Sequence, residues 1–169
     1  MATREVIIDS SLSIARMTEH DLLEVVEIED LSGISAWGWD AYHKELQSPE
    51  DVIMLVARPA TEGPAQGPSN LIAGFIVSRV IAGELHINNV AVRPEFQRQG
   101  IAAKLLSTLL AQGRKQGAHL AFLEVRAAND AAQGLYRRSG FQVTGRRKRY
   151  YNDPVEDAVL MSLKLETLP

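Results

Sequence analysis

The sequence contains no cysteine among its 169 residues. This absence excludes a disulfide scaffold, a thiolate zinc site, an iron–sulfur cluster and a cysteine nucleophile. No apolar run approaches the ~20 residues that span a bilayer. The first residues also lack the apolar stretch of a secretory signal peptide. We therefore expect a cytoplasmic protein with no membrane partner.

Charge is small in total but uneven along the chain. The formal net charge is only −3, which does not indicate a partner. Residues 18–51 carry ten acids and one lysine, whereas residues 93–149 carry twelve Lys or Arg and three acids. One half suits a cationic substrate and the other a polyanionic ligand, unless both are solvated faces that cluster by chance. The four histidines are scattered, without the spacing of a metal site, so we expect no metal.

Hydrophobic residues make up 46% of the chain and charged residues 23%, which fits one domain over 1–169. Periodicity and turn residues predict strands over 12–17, 52–57, 71–81, 84–92, 119–125, 141–145 and 158–165. Helices are predicted from Thr18 to about 31, over 39–47, over 100–113 and from Asn129 to 139. The Pro- and Gly-rich segment 59–70 predicts a mobile connection between two strands. This order is typical of an α/β protein with a mixed sheet.

The segment 88–106 combines a strand end, a short loop and a helix start. The strand ends at Val92, and the loop Gln97-Arg98-Gln99-Gly100 leads directly into the helix. A helix start offers free N–H groups and a partial positive charge that can hold a phosphate. Gly100 lets the backbone approach such a ligand, and Arg98 adds a positive charge. The sequence contains neither a P-loop nor a dinucleotide-binding glycine motif. From the residues alone, an anion site and an ordinary strand-to-helix turn remain equally open.

The residue order of this segment also matches a known family motif. Gln97-x-x-Gly100-x-Ala102, preceded by Val90-Ala91-Val92-x-Pro94, resembles motif A of the GNAT superfamily of acetyl-CoA-dependent N-acetyltransferases. The resemblance implies a central mixed, mostly antiparallel sheet flanked by about four helices. It implies that the acetyl-CoA diphosphate is held by backbone amides of the loop and the helix start. These are the amides of Arg98, Gln99, Gly100, Ile101, Ala102 and Ala103. It also implies that the pantetheine arm pairs with the backbone of Val90, Ala91 and Val92.

A second set of residues resembles a narrower group, the RimI-like ribosomal-protein-alanine N-acetyltransferases. The set comprises Leu123-Glu124-Val125-Arg126, Asn129, Leu135-Tyr136, Gly140-Phe141, the tail Arg147-x-Arg149-Tyr150-Tyr151 followed by Glu156-Asp157-Ala158 and Met161, and Trp37. This resemblance implies an acceptor that is the N-terminal α-amine of a protein, namely the N-terminal alanine of a small-subunit ribosomal protein. Direct attack is expected, because no cysteine is present to carry an acyl-enzyme.

The resemblance also assigns roles to individual residues. It implies that Glu124 is the general base and Tyr136 the general acid, and that the Val92 N–H polarises the thioester carbonyl. The alternatives are an ion pair of Glu124 with Arg126 or a neighbouring helix, and a tyrosine at the core edge.

Three further side chains have both a structural and a functional reading. Asn129 either only caps a helix or also contacts CoA. Tyr150 and Tyr151 either line the acceptor groove or are ordinary strand residues.

Two other functions remain open at this stage. One is a GNAT enzyme for a small amine such as a polyamine or an aminoglycoside. The other is a non-catalytic acyl-CoA- or RNA-binding module, for which the basic run 146–149 would matter. No nucleic-acid module is recognisable, so we expect this run to be a solvated hairpin. We expect a monomer that makes no direct contact with nucleic acid.

Overall fold

A computed structural model describes residues 12–34, 36–59 and 71–166. The described residues include four α-helices, α1 Leu22–Ser32, α2 Gly38–Leu46, α3 Ile101–Lys115 and α4 Asp130–Arg138. They also include seven strands, β1 Leu12–Arg16, β2 Val52–Pro59, β3 Gly74–Ile81, β4 Glu84–Val92, β5 Leu120–Arg126, β6 Gln142–Asn152 and β7 Val155–Lys164. The N-terminal residues without a signal-peptide stretch, and the predicted connection 59–70 except for Pro59, lie outside the described residues.

The seven strands form one sheet in the order β1-β2-β3-β4-β5-β7-β6. Neighbouring strands are antiparallel except for β4 and β5, which are parallel. A parallel pair needs a long crossover, and α3 supplies it between β4 and β5. The mixed, mostly antiparallel sheet with four flanking helices that the family resemblance implied is therefore confirmed.

Helices cover both faces of the sheet. The apolar faces of α3 and α4 pack into one core cluster, and those of α1 and α2 pack into another. Neighbouring residues of β2 enter different clusters, Leu55 the first and Val56 the second. A strand buried on both faces needs a continuous apolar run, which explains why 52–57 contains no polar residue.

The predicted cap residue, Thr18, lies four residues before the first residue of α1. The Thr18 N–H donates to Asp21 Oδ2 at 2.8 Å, and a single 3-10 turn over Glu19–Asp21 precedes α1. Asp21 is buried, and its carboxylate also accepts a hydrogen bond from Arg58. The helix ends at Gly33 in the left-handed conformation, with φ +64°. Because a left-handed C-cap favours glycine, the position of Gly33 in the sequence determines where α1 ends.

The closing hairpin is longer than the sequence predicted. The predicted strands 141–145 and 158–165 were too short, because β6 continues to Asn152 and β7 begins at Val155. The basic run 146–149 is exposed, as expected, but it lies within β6 at the edge of the sheet. Edge strands commonly carry charged residues that block further pairing. Arg146 is held in the hairpin by Asp157, with Nε 2.8 Å from Oδ2.

Candidate active site

A groove opens where the only parallel pair among the described strands separates. β4 and β5 are paired from Glu84 and Leu120 to Ile87 and Leu123, although both strands continue beyond these residues. The resulting groove has a volume of about 1320 Å³. Its walls are the connection from α1 to α2 (residues 32–34, 36 and 37), the facing sides of β4 and β5, part of α4, and the β6–β7 hairpin.

The backbone of β4 presents free hydrogen-bonding groups to this groove. The Arg93 N–H donates to Ala73 O at 2.7 Å, toward β3. Successive residues of a strand point their N–H groups to opposite edges, so the N–H groups of Val92 and Val90 point toward the gap beside β5. A register shift in the β3–β4 pairing leaves Asn88 unopposed just before this stretch. The expected backbone of Val90, Ala91 and Val92 therefore has an edge on which an extended ligand can pair.

The N-terminus of α3 has the open geometry that the sequence predicted. Gly100 is its N-cap in the left-handed conformation, with φ +78°. The first amide to bond within the helix is that of Lys104, which donates to Gly100 O at 3.0 Å. The amides of Ile101, Ala102 and Ala103 consequently lack helical acceptors. Gln97 ties the loop to the end of β4, with Nε2 3.2 Å from Val92 O.

These open amides fit a diphosphate, which a helix N-terminus binds through N–H groups and its partial positive charge. Arg98 and Gln99 lie in the same exposed loop as Gly100. Arg98 also has a positive φ of 61°, as the loop turns sharply before the helix. The residues that sequence reasoning assigned to a phosphate ligand thus lie together on one turn.

Glu124 faces the groove from β5, with its side chain 28% exposed. Its nearest cation is Arg147 of β6, with Nε 3.5 Å from Oε1. The alternative interpretation placed Arg126 or a neighbouring helix beside Glu124, and the choice of partner was wrong. Arg126 instead pairs with Glu156 of β7, at 3.2 Å. The cross-strand contact arises because β7 and β6 follow β5 in the sheet.

Tyr136 faces the same groove from α4 and belongs to the core as well. It is 8% exposed, and its ring centroid lies 5.9 Å from that of Phe141. Burial, and then the neighbouring Tyr151, raise the pKa of the Tyr136 phenol to about 12. The phenol therefore keeps its proton throughout the physiological pH range. Tyr136 therefore packs at the edge of the core and lines the groove at the same time.

Asn129, Tyr150 and Tyr151 also line the groove. Asn129 caps α4 as predicted, because its Oδ1 accepts a hydrogen bond from the Ala132 N–H at 3.1 Å. A hydrogen bond with Glu124, followed by burial, raises the pKa of Tyr150. Burial, followed by the charge of Glu124, raises the pKa of Tyr151 to about 12. Tyr150 and Tyr151, whose roles the sequence did not decide, are residues of β6 whose side chains lie close to Glu124.

The acid-rich segment 18–51 does not present its charge to the groove. The residues it contributes to the groove wall (32–34, 36 and 37) are uncharged. Several of its acids instead pair with arginines of the fold: Asp21 with Arg58, Glu24 and Glu27 with Arg93, and Glu45 with Arg79. The segment flanks the groove, as expected, but its carboxylates do not line it. The carboxylates that line the groove are Glu84, Glu124 and Asp153.

Sequence reasoning missed the polar groups that β4 contributes to the site. His86 stacks on Phe122 of β5 with ring centroids 5.5 Å apart, and both line the groove. Asn89 is buried and bonds to Tyr42 of α2. The one available signal was the doublet Asn88-Asn89, two polar residues inside an otherwise apolar half-strand, which marks the irregular pairing.

Two further observations concern the described residues as a whole. No helix among them is long and apolar enough to cross a membrane. Within the same ranges, no three His, Asp or Glu side chains come together in a group that would hold a metal ion.

Open amides beside a strand with a free edge suit a ligand that has a diphosphate at one end and an extended arm at the other, the form of coenzyme A. The protein class defined in this way is the CoA-dependent acyltransferases. A family model described as "Acetyltransferase (GNAT) family" matches residues 22–141. The chain therefore belongs to the GNAT family, and it is an acetyl-CoA-dependent N-acetyltransferase.

Two curated relatives and one solved structure indicate which group of the family this chain resembles. The chain is 33% identical over 152 residues to the N-alpha-acetyltransferase RimI of Mycobacterium tuberculosis, covering 89% of this chain and 90% of the relative. It is 40% identical over 96 residues to the [ribosomal protein bS18]-alanine N-acetyltransferase of Escherichia coli K12, covering 56% and 65%. The crystal structure of the ribosomal-protein-S18-alanine N-acetyltransferase from Escherichia coli matches with a TM-score of 0.77 at 29% identity, covering 94% of this chain and 96% of the other. The resemblance to the RimI group is confirmed.

Adding a Cβ at Gly100 is expected to weaken acetyl-CoA binding. A left-handed alanine costs about 1–2 kcal/mol, and the loop relieves that strain by turning its amides away from the diphosphate. Since about 1.4 kcal/mol corresponds to a factor of ten, Gly100→Ala should raise the Kd for acetyl-CoA about tenfold. Isothermal titration calorimetry of the free enzyme measures this change directly.

Gly117→Ala is the matched control for that variant. Gly117 follows the other end of α3, also has a positive φ of 86°, and has nothing within 4 Å of the added Cβ. It therefore carries the same backbone strain away from the loop. Equal losses of acetyl-CoA affinity in the two variants would mean that strain alone, and not the open amides, accounts for the effect.

Proposed function

We propose that this enzyme acetylates the N-terminal α-amine of a protein, and specifically the N-terminal alanine of a small-subunit ribosomal protein. The proposal is supported by the names of the RimI-group relatives, which state that acceptor for themselves. It is also supported by the open groove beside Glu124, which offers about 1320 Å³ for several residues of an extended chain. A ribosomal acceptor implies action in the cytoplasm. We further propose that the enzyme acts as a monomer and that residues 1–169 form one domain.

The proposed chemistry assigns one role to each side of the groove. Acetyl-CoA supplies the acetyl group as a thioester, so that a C–N bond to the acceptor forms and the C–S bond breaks. Glu124 accepts a proton from the acceptor ammonium, and Tyr136 donates a proton to the departing sulfur. The Val92 N–H, at the free edge of β4, donates a hydrogen bond to the carbonyl oxygen. The nitrogen loses two protons overall: Glu124 passes the first to water, and the second, released as the amide forms, replaces through water the proton that Tyr136 gives to sulfur. One proton per turnover is therefore released to solvent, and both side chains return to their starting states.

Binding of the coenzyme is assigned to the backbone. Amides from Arg98 to Ala103 hold the diphosphate, and the free edge from Val90 to Val92 pairs with the pantetheine arm. Asn129 keeps its role as the cap of α4 and reaches the coenzyme from the same position in the groove wall. The observation that carries the whole proposal is the arrangement of Glu124 and Tyr136 in one groove beside the unpaired edge of β4.

An acceptor panel distinguishes a protein N-terminus from a small amine. The panel contains a peptide that begins with alanine, the same peptide with a blocked N-terminus and an internal lysine, a polyamine and an aminoglycoside. We expect acetyl transfer only to the free N-terminus, located by tandem mass spectrometry. Transfer to the polyamine or the aminoglycoside at a higher kcat/KM than to the free peptide would refute the proposed acceptor.

A cellular measurement tests the particular acceptor. Ribosomal proteins from a strain that lacks this enzyme are compared by intact-mass spectrometry with those of the parent strain. We expect one small-subunit protein with an N-terminal alanine to become lighter by one acetyl group. If every ribosomal N-terminus keeps its modification, the acceptor is another protein.

A further inference from the structure

Glu29 is a buried carboxylate with three hydrogen-bond donors. It lies on α1 and is 1% exposed. Its Oε1 accepts from the N–H groups of Trp37 at 2.9 Å and Gly38 at 3.0 Å, and its Oε2 accepts from the Tyr42 hydroxyl. The two amides belong to the start of α2, where helical acceptors are missing. Glu29 thus holds the end of the α1–α2 connection against α1.

A second hydrogen bond extends this contact to the sheet. Asn89 Nδ2 donates to the Tyr42 hydroxyl oxygen at 2.8 Å, and the hydroxyl proton is directed at Glu29. Burial, and then the hydrogen bond with Glu29, raise the pKa of Tyr42 far above its usual value, so the phenol stays a donor. Asn89, Tyr42 and Glu29 thus form a chain of hydrogen bonds in which each group donates to the next. The Glu29 carboxylate, which only accepts, fixes this direction.

The two ends of this hydrogen-bond chain lie on different walls of the groove. Trp37 lines the groove from the α1–α2 connection and stacks on Tyr42 with ring centroids 5.3 Å apart. Asn89 lines it from β4, directly after the irregular residue Asn88. In the described part of the chain, neither Glu29 nor Tyr42 is among the lining residues. The buried chain thus connects two walls without entering the space between them.

We infer that Glu29 is a positioning residue that holds the α1–α2 wall at a set distance from β4 and thereby determines how well the acceptor binds. The inference rests on the proposed function, in which this groove receives the acceptor. Acetyl-CoA is assigned to α3 and to the free backbone edge from Val90 to Val92, whereas the hydrogen-bond chain reaches β4 only through the side chain of Asn89. Loss of the chain therefore affects acceptor binding more than coenzyme binding.

Glu29→Gln and Tyr42→Phe test this role. The glutamine amide offers a second donor to the Tyr42 oxygen, so the hydroxyl proton loses its acceptor. The phenylalanine keeps the ring packing against Trp37 and Phe75 and removes only the hydroxyl. Displacement of the groove wall removes contacts that the acceptor makes equally in its ground state and its transition state, so each variant should raise the acceptor KM about tenfold. We expect kcat and the Kd for acetyl-CoA to stay within about twofold.

Asp21→Asn is the matched control. Asp21 is also a buried carboxylate of the α1 region, 6% exposed, and it holds Thr18 and Arg58 rather than the groove wall. The variant should lower the melting temperature while leaving the acceptor KM unchanged. If Asp21→Asn raises the acceptor KM as much as Glu29→Gln does, the effect is general loosening and the inference fails.

Hydrogen exchange gives a readout that does not depend on activity. The amides of Trp37 and Gly38 should exchange faster in Glu29→Gln than in the wild-type enzyme and in Asp21→Asn. Unchanged exchange at both amides, or an unchanged acceptor KM in both Glu29→Gln and Tyr42→Phe, would overturn the inference. If the wild-type enzyme acetylates only a small amine, the proposed function fails separately, and the KM for that amine still tests the role of Glu29.

Discussion

Replacing Tyr136 by Phe is expected to lower kcat by about 10²–10⁴-fold, the usual contribution of a general acid. The phenylalanine ring keeps the contact with Phe141, so only the proton donor is lost. Because the pKa of Tyr136 is raised to about 12, the wild-type phenol holds its proton at every pH at which the enzyme is assayed. Steady-state kinetics with a peptide acceptor measure kcat, and calorimetry should find an unchanged Kd for acetyl-CoA.

Tyr151→Phe is the comparison that makes this result specific. Tyr151 lines the same groove, and its pKa is also raised to about 12. Tyr151 touches Arg126 through its ring face, 4.3 Å from the guanidinium carbon, and its loss should change kcat far less. If Tyr151→Phe loses the activity and Tyr136→Phe retains it, the acid role belongs to Tyr151.

Replacing Glu124 by Gln is expected to lower the rate by about 10²-fold at pH 7. At that pH the acceptor α-amine, with an ordinary pKa of about 8, is mostly protonated and needs a base. As the pH rises through about 8, the amine loses its proton to solvent without help. The difference between variant and wild type should therefore shrink toward about pH 9, which a pH profile of kcat/KM for the peptide measures.

Glu45→Gln is the control for this variant. Glu45 is also a partly buried carboxylate paired with an arginine, Arg79, at 2.7 Å, and it lies away from the groove lining. Its removal should leave the pH profile unchanged. A loss in Glu124→Gln that stays constant from pH 7 to about pH 9 would contradict the base role and indicate that Glu124 only orients Arg147 and Tyr150.

The elements that sequence reasoning predicted well are those with a local cause. The apolar run of β2, the Thr18–Asp21 cap before α1, the Asn129 cap of α4 and the glycine at the start of α3 are each determined by a few consecutive residues. The closing hairpin failed this test, because charged residues on an edge strand look like loop residues when the neighbouring strand is unknown. The length of β6 depends on its pairing with β7.

The candidate site divides in the same way. The loop before α3 and the pair Glu124 and Tyr136 were assigned from spelling, and all of them lie at positions consistent with those roles. The partner of Glu124 was not predicted. Arg147 contacts Glu124 from β6, which is separated from β5 in the sheet by β7. The buried chain from Asn89 through Tyr42 to Glu29 joins residues up to 60 positions apart, from Glu29 to Asn89, and no local pattern announces it.

By itself, the sequence determined the class of fold, the family and the turn that can bind a diphosphate, because these depend on short-range periodicity, caps and one glycine. Only the tertiary structure decided where β4 and β5 separate, which arginine lies beside Glu124, and which acids of 18–51 pair with arginines of the fold. The physical reason is that strand order and pairing register bring distant residues together. A residue's neighbours across a sheet are set by that pairing and not by its own place in the chain.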